Sequence, residues 1–205
     1  MARSTREAIL TAAAELMRVK GYAAVGMKDI VAGLGAPIGS LYHHFPRGKV
    51  QIAGEALVNA GRAYALLIPT LVNPHTDLGE AVESVFAQAA QDMAATGFAN
   101  MCPVGTVAAE IADTVEELRV ASAGVMAEWL EAGEAYFASR GVADARDLTA
   151  TLIATLEGAF VLARTLRDTE PLLAAGRVLG PRYRGIPLLP SPAGVSLPAP
   201  VGTAR

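Results

Sequence analysis

Gly35-Ala36-Pro37-Ile38-Gly39-Ser40-Leu41-Tyr42-His43-His44-Phe45-Pro46-Arg47-Gly48-Lys49 holds a hydroxyl, a tyrosine, two histidines and a lysine in a stretch too short for a core of its own. Pro37 suits the first position of a helix, because its fixed φ is helical and its missing N–H would go unpaired there. A helix over residues 37–44 turns Leu41 inward, with Phe45 four residues on as a second anchor. Ser40, Tyr42, His43 and His44 then face solvent, and Gly39 lets the backbone approach another surface closely.

Upstream, Thr5 can cap a first helix whose apolar residues Ile9, Ala13, Leu16 and Met17 fall at i, i+4, i+7 and i+8. Gly21 stops it, and Tyr22 is placed to fold back on the stripe. A second helix starts after Gly26, with Met27, Ile30, Val31 and Leu34 on one side, and ends at Gly35, where a left-handed residue costs least. Two short helices joined by a tight turn and backed by a longer one make a helix-turn-helix, whose last member enters the DNA major groove. Lys49, at the next helix start, combines a cation with free backbone N–H groups, a combination that favours a phosphate.

Gly21-Tyr22, Asp29-Ile30, Gly35-Ala36, Gly39 to Phe45 and Lys49 together resemble the DNA-binding domain of TetR-family transcriptional regulators, without a gap from Thr5 to Lys49. The run Ala36 to Pro46, then Gly48-Lys49, with Cys102-Pro103-Val104 downstream, is similar more narrowly to the lincomycin-resistance and flavonoid-responsive repressor branch. The resemblance implies an all-helical homodimer with a helix-turn-helix on each subunit. It also implies repression of a target gene and a variable ligand domain that releases DNA when occupied. The expected DNA-facing set is Lys28, Pro37, Ile38, Gly39, Ser40, Tyr42, His43, His44 and Lys49.

Two positions depart from that pattern. Gly26 stands where the family usually has Thr or Ser as a cap, at a cost of a few tenths of a kcal/mol. Ile38 stands where the look-alike branch is often basic; its methyls can meet a thymine methyl but cannot pair a phosphate. His43 and His44 do not suggest a metal, because adjacent helical residues point about 100° apart. Neither a metal nor a cofactor is expected.

Charge divides the chain. Through residue 52 there are seven Lys/Arg against three Asp/Glu, and beyond it ten against seventeen, giving the net −3. A basic head on an acidic body fits a protein that meets a polyanion at one end. With 52% hydrophobic residues and only 5% aromatics, the core must come from Ala, Leu and Val in close-packed helices. The single Cys102 allows no internal disulfide and agrees with a reducing compartment. Glu7 and Glu15 interrupt any signal-like segment, and Glu157 interrupts the most apolar stretch, 148–163. A cytoplasmic chain without a membrane segment is expected.

Beyond the head, residues 1–49, the period stays helical through a ligand-binding and dimerisation domain, 50–182. A fourth helix, with Ile52, Ala56, Ala60, Ala63 and Leu67 on one face, stops near Pro69. A fifth follows a cap in 73–76, with Leu78, Val82, Val85, Phe86, Ala89 and Met93 inward. Further helices are expected at 103–112, 115–139, 144–167 and 171–179, about nine in all. The helix at 144–167 is apolar on two sides and needs two covers. Leu152, Leu156, Ala159 and Ala163 are assigned to a twofold dimer interface. Residues 183–205 read as a Pro/Gly-rich tail, extended or poorly ordered, in which Leu188 and Leu189 can still dock.

Phe86, Met93, Met101, Met126, Trp129, Glu157 and Phe160 form the candidate ligand set, with Thr151 and Arg164 as further polar groups. Soft methionines and rings around a few polar groups suit an apolar or aromatic effector, although each also serves as core filling. No nucleophile elbow, metal spacing or phosphate-cradling glycine run supports an enzyme. The alternative to a ligand-responsive repressor at a palindromic operator is a small-molecule-binding dimeric module that has lost specific DNA binding.

Overall fold

Ser4, not Thr5, caps the first helix in the computed structural model, which describes residues 4–35 and 37–190. Its hydroxyl accepts from the Glu7 N–H at 3.3 Å while its own N–H donates to Glu7 Oε2 at 3.0 Å, so two end donors are satisfied reciprocally. Ten helices follow among the described residues, with one isolated antiparallel bridge between Asp77 and Pro187.

The head is α1 (Thr5–Lys20), α2 (Met27–Ala32) and α3 (Ile38–His44). Gly26 has no side chain to offer α2, but Asp29 supplies the other half of the cap by accepting the Gly26 N–H at 2.8 Å. α2 ends at Ala32, short of the expected end at Gly35, and the turn is made by Leu34 N–H to Val31 O and a left-handed Gly35. Pro37 is the cap of α3 rather than its first residue, with ψ 147°. Leu41 and Phe45 are fully buried, each worth about 2–3 kcal/mol relative to exposure, and they anchor α3 on Ile9, Met17 and Ile30.

The body is α4 (Lys49–Ala65), α5 (Leu67–Val72), α6 (Leu78–Ala95), α7 (Pro103–Ile111), α8 (Glu116–Ser139), α9 (Ala145–Leu166) and α10 (Glu170–Arg182). The expected fourth helix is split: Pro69 has no N–H for the Ala65 carbonyl, so the ladder breaks at Leu66 and a short α5 restarts at Leu67. The cap of α6 is Asp77, downstream of the expected 73–76, with Oδ1 accepting the Glu80 N–H at 3.0 Å.

The apolar cluster of the head does not end at residue 49. It continues through Ile52, Ala56 and Leu57 of α4, Val104, Val107 and Ile111 of α7, and Leu118 and Val125 of α8. α4 presents Ile52, Ala53, Ala56, Leu57 and Gly61 inward rather than Ala60 and Ala63. The reason is Gly61, where a Cβ would lie 2.3 Å from Val125 Cγ1; its absence lets α8 close onto α4. A second cluster, Phe86, Met93, Phe137, Leu148 and Leu172 among others, fills the space between α6, α9 and α10.

By length and composition α9 is long and apolar enough to cross a bilayer. Its inner side is instead occupied within the chain, with Leu148, Leu152, Ala159 and Ala163 buried and Glu157 midway.

Residues 183–190 are held, against the expectation of a loose tail; 191–205 lie outside the described residues. The Leu188 N–H donates to Thr76 O at 2.8 Å, and Tyr183 and Leu188 are buried. Arg140, 2% exposed, is the fastener. Its guanidinium donates to the Leu189 carbonyl, to Asn73 Oδ1 at 2.9 Å and to the Tyr136 hydroxyl at 2.8 Å. It also sits at the C-cap of α8, where the helix dipole favours a cation. Arg140→Ala is expected to lower unfolding free energy by about 2 kcal/mol and to expose 183–190 to proteolysis. Arg140→Lys should not rescue, since an ammonium cannot reproduce the planar fork. Chemical denaturation with limited proteolysis checks both.

Candidate functional site

α3 projects from the head with an open outer face. Tyr42 is 54% and Ile38 41% exposed; Pro37, Gly39 and His43 are exposed, and Ser40 and His44 are half-buried. The His43 and His44 rings meet edge to face at 5.1 Å, with His44 against Phe45. Lys28 is exposed on α2. This surface offers an apolar tip, a phenol and an imidazole on a short helix, with an exposed lysine on the helix before it, the set that fits base edges and backbone phosphates.

Lys49 is placed differently from a free phosphate ligand. Its ammonium donates to the Ala23 carbonyl at 3.2 Å and lies 4.2 Å from the Tyr22 ring centroid. Burial holds its pKa below the usual lysine value, partly offset by Glu110.

Glu110, at the far end of α7, takes hold of the same turn. Its carboxylate accepts the Tyr22 N–H at 2.5 Å and the Ala23 N–H at 2.7 Å. Gly21 makes this possible, since a Cβ there would fall 2.5 Å from Glu110 Oε2, and its φ of +79° with ψ 175° suits glycine alone. Arg164 of α9 adds a third grip, donating to the Val19 carbonyl at 2.6 Å and the Arg18 carbonyl at 3.4 Å at the end of α1, where unpaired carbonyls favour a cation. Glu110 and Arg164 are the functional residues least visible in sequence: each is one polar residue on a helix face. A left-handed Gly21 was the single hint that something approaches the backbone there.

Within the body lies a cavity of about 630 Å³. Its walls are Tyr64 and Ala65 at the end of α4, Leu67, Ile68 and Leu71 of α5, Val85, Gln88, Ala89 and Asp92 of α6, Trp129, Tyr136 and Phe137 of α8, and Leu152, Ile153, Leu156, Glu157 and Phe160 of α9. Cys102, the N-cap of α7, also reaches it. Trp129 Nε1 donates to the Gly61 carbonyl at 2.7 Å, and its ring stacks with Tyr64 at 6.4 Å between centroids. Trp129, Glu157 and Phe160 therefore line the cavity as the sequence suggests. Phe86, Met93 and Met101 do not; they are buried in the second cluster. Met126 packs against the first cluster. Thr151 is absent from the lining, and Arg164 is turned to α1.

Glu157 is a carboxyl in an apolar wall, and burial raises its pKa, with the Cys102 thiol hydrogen bond pulling the other way. Burial first, then Glu157, pushes the Cys102 thiol well above its usual range. A thiol so placed is a weak nucleophile. Glu157 reaches toward α7 across Gly105, where a Cβ would fall 2.2 Å from Oε2.

The four residues assigned to a dimer face are placed inside the subunit. Leu152 and Leu156 line the cavity, and Ala159 and Ala163 are buried against α6 and α10. The half-period error arises because α9 is apolar on both sides, so the pattern names two stripes without saying which is inner. The outer stripe carries Ala154, Gly158, Val161, Leu162 and Leu166, with Leu173 and Val178 beside it on α10.

Comparison with known proteins agrees with this layout. Residues 9–56 match the model for bacterial regulatory proteins of the tetR family, and residues 79–178 match the C-terminal domain of LmrA/YxaF-like transcriptional regulators. The HTH-type transcriptional regulator YxaF of Bacillus subtilis is 35% identical over 175 residues, covering 82% of this chain and 90% of its own. The HTH-type transcriptional regulator LmrA of the same organism is 33% identical over 171 residues, covering 82% and 91%. A TetR transcriptional regulator from Chloroflexus aurantiacus superposes with a TM-score of 0.71 at 28% identity over 90% of this chain and 96% of that one. An exposed recognition helix on a basic head, set on a helical body of the LmrA/YxaF type, makes this chain a member of the TetR family of helix-turn-helix DNA-binding transcriptional regulators, not an enzyme.

Proposed function

We propose that the chain is a ligand-responsive repressor that binds a palindromic operator as a homodimer and lets go when a small, largely apolar or aromatic effector fills the cavity. The observation that carries this reading is that two helices each join the cavity to the head. α4 has Tyr64 and Ala65 in the cavity wall and Lys49 on the Tyr22–Ala23 turn. α7 has Cys102 in the wall and Glu110 on the same turn. An effector that prefers one position of either helix must also prefer one position of the head.

The outer stripe of α9 and α10 is the proposed dimer face. Leu166 is 63% and Val178 73% exposed, and Gly158 leaves room for close approach of a partner helix. A twofold axis there is self-complementary, and the two heads would then read half-sites about 34–36 Å apart. The working compartment is the cytoplasm, where the DNA lies. The competing module without DNA function is favoured only by Ile38 and by the internal engagement of Lys49. Against it stands the open, polar remainder of α3 with Lys28 beside it.

Binding to the gene's own upstream region, titrated with salt, tests the interface. Lys28→Ala should shallow the log–log salt slope by about one unit. Tyr42→Phe should cost about 1 kcal/mol of affinity at unchanged slope. No preference for that region over random duplex would favour the binding-only module. Glu110→Ala, on the body and remote from α3, should also cost about 1 kcal/mol of DNA affinity with the slope preserved. Full affinity in that variant would remove α7 from the coupling. Leu162→Glu with Leu166→Glu should convert the dimer to a monomer in sedimentation, and an unchanged mass would move the interface elsewhere.

A further inference from the structure

We propose that the effector of the body cavity is an amphipathic aromatic cation, whose positive charge sits against the Glu157 carboxylate while its rings lie among Tyr64, Trp129, Tyr136 and Phe160. This rests on the ligand-responsive reading above and names the chemistry of its ligand.

The cavity wall is one-sided in charge. It holds two carboxyl groups, Glu157 within and Asp92 on α6, and among the described residues no Lys, Arg or His lines it. The arginines nearby are committed elsewhere. Arg18 pairs with Glu15 and donates to Asn100 Oδ1 at 2.6 Å, and Arg164 spends its guanidinium on the α1 carbonyls. Among the described residues Glu157 therefore has no cationic partner; the Cys102 thiol that bonds it is a weak donor and leaves most of the carboxylate's acceptor capacity open.

Placing an unpaired carboxyl in an apolar wall is costly, and the cost is recovered when a cation enters. Four ring systems, Tyr64, Trp129, Tyr136 and Phe160, line the same cavity, and the faces of Trp and Tyr attract cations most strongly. A cavity of about 630 Å³ accommodates a ligand of two to four fused or linked rings. Anions are disfavoured by both carboxyls, and a neutral planar molecule gains the rings but leaves Glu157 uncompensated.

The position of the carboxyl is also built. Gly105 provides the gap in α7 into which Oε2 fits, 2.2 Å from where a Cβ would be. A cation that draws Glu157 toward the cavity centre withdraws it from Cys102 and Gly105 at the start of α7, the helix whose other end holds the Tyr22–Ala23 turn.

Three tricyclic isosteres separate the possibilities: 9-aminoacridine, cationic at pH 8, acridine, neutral there, and acridine-9-carboxylate. Binding to the DNA-free protein is followed by fluorescence of Trp129, the only tryptophan, and by calorimetry. We expect 9-aminoacridine to bind at least tenfold more tightly than acridine, the carboxylate to bind weakest, and Glu157→Gln to erase the preference while keeping acridine affinity. Retained acridine binding shows that the variant is folded. Equal affinity for cation and neutral ring, or a preference that survives Glu157→Gln, overturns the cation assignment and leaves the cavity as an effector site. Failure of all three to bind overturns the assignment as well. In each case operator binding, measured separately, still decides the regulator reading.

Discussion

Two backbone N–H groups, of Tyr22 and Ala23, end on one carboxylate, Glu110, and the Ala23 carbonyl ends on one ammonium, Lys49. The polar coupling of the recognition-helix head to α4 and α7 depends on this small knot. The turn belongs to the head, Glu110 belongs to α7, and Lys49 begins α4. Ion and dipole are paired here at a partly screened surface, so each bond is modest and reversible. The shared apolar cluster joins head and body without direction, whereas the charged clasp fixes which backbone atoms of the turn meet α4 and α7.

Close helix approach creates both the clasp and the cavity. Gly61 admits Val125, and its carbonyl receives Trp129, which draws the middle of α8 onto α4. On the other side Gly79, Gly176 and Gly180 bring α6 and α10 together, with Gly180 O and Glu83 at the contacts. Between these two tight seams, with the α4 ladder interrupted at Leu66 and α5 restarting beyond it, the gap remains lined by apolar residues and Glu157. The void thus lies between the places where glycines permit close contact, beside the helix break that Pro69 produces.

The head was legible because its chemistry is local. Leu41 and Phe45 at a four-residue spacing, Pro37 at a helix start and a left-handed Gly35 each act within a few residues, and the structure has them in those roles. The boundaries differ by one or two residues where a neighbour supplies the cap, as Ser4 does for α1 in place of Thr5. The body was legible in its helices but not in its sides. Periodicity shows that α9 has two apolar stripes, and nothing within α9 distinguishes the cavity wall, Leu152 and Leu156, from the outer stripe, Val161, Leu162 and Leu166. Phe86, an aromatic ring, and Met93, a soft side chain, have the character of ligand residues yet fill the second cluster, because lining depends on helices distant in sequence. Glu110 and Arg140 act through partners 87 and 49 residues away, a separation that no local pattern reports.

The magnitudes favour a small mechanical step. Coupling between sites in allosteric proteins is typically about 1–3 kcal/mol, and hydrogen bonds to a charged group contribute about 1.5–3 kcal/mol. Weakening the two bonds to Glu110 is therefore enough to account for a regulatory change in operator affinity without unfolding α3 or separating subunits. In the proposed coupling the effector need only bias α7 by moving the Glu157 carboxyl of α9, which packs on the start of α7 at Gly105. Since the shift cannot exceed the ligand's preference between the two positions, a ligand gripping Glu157 directly has more leverage than one of equal affinity resting on the rings alone.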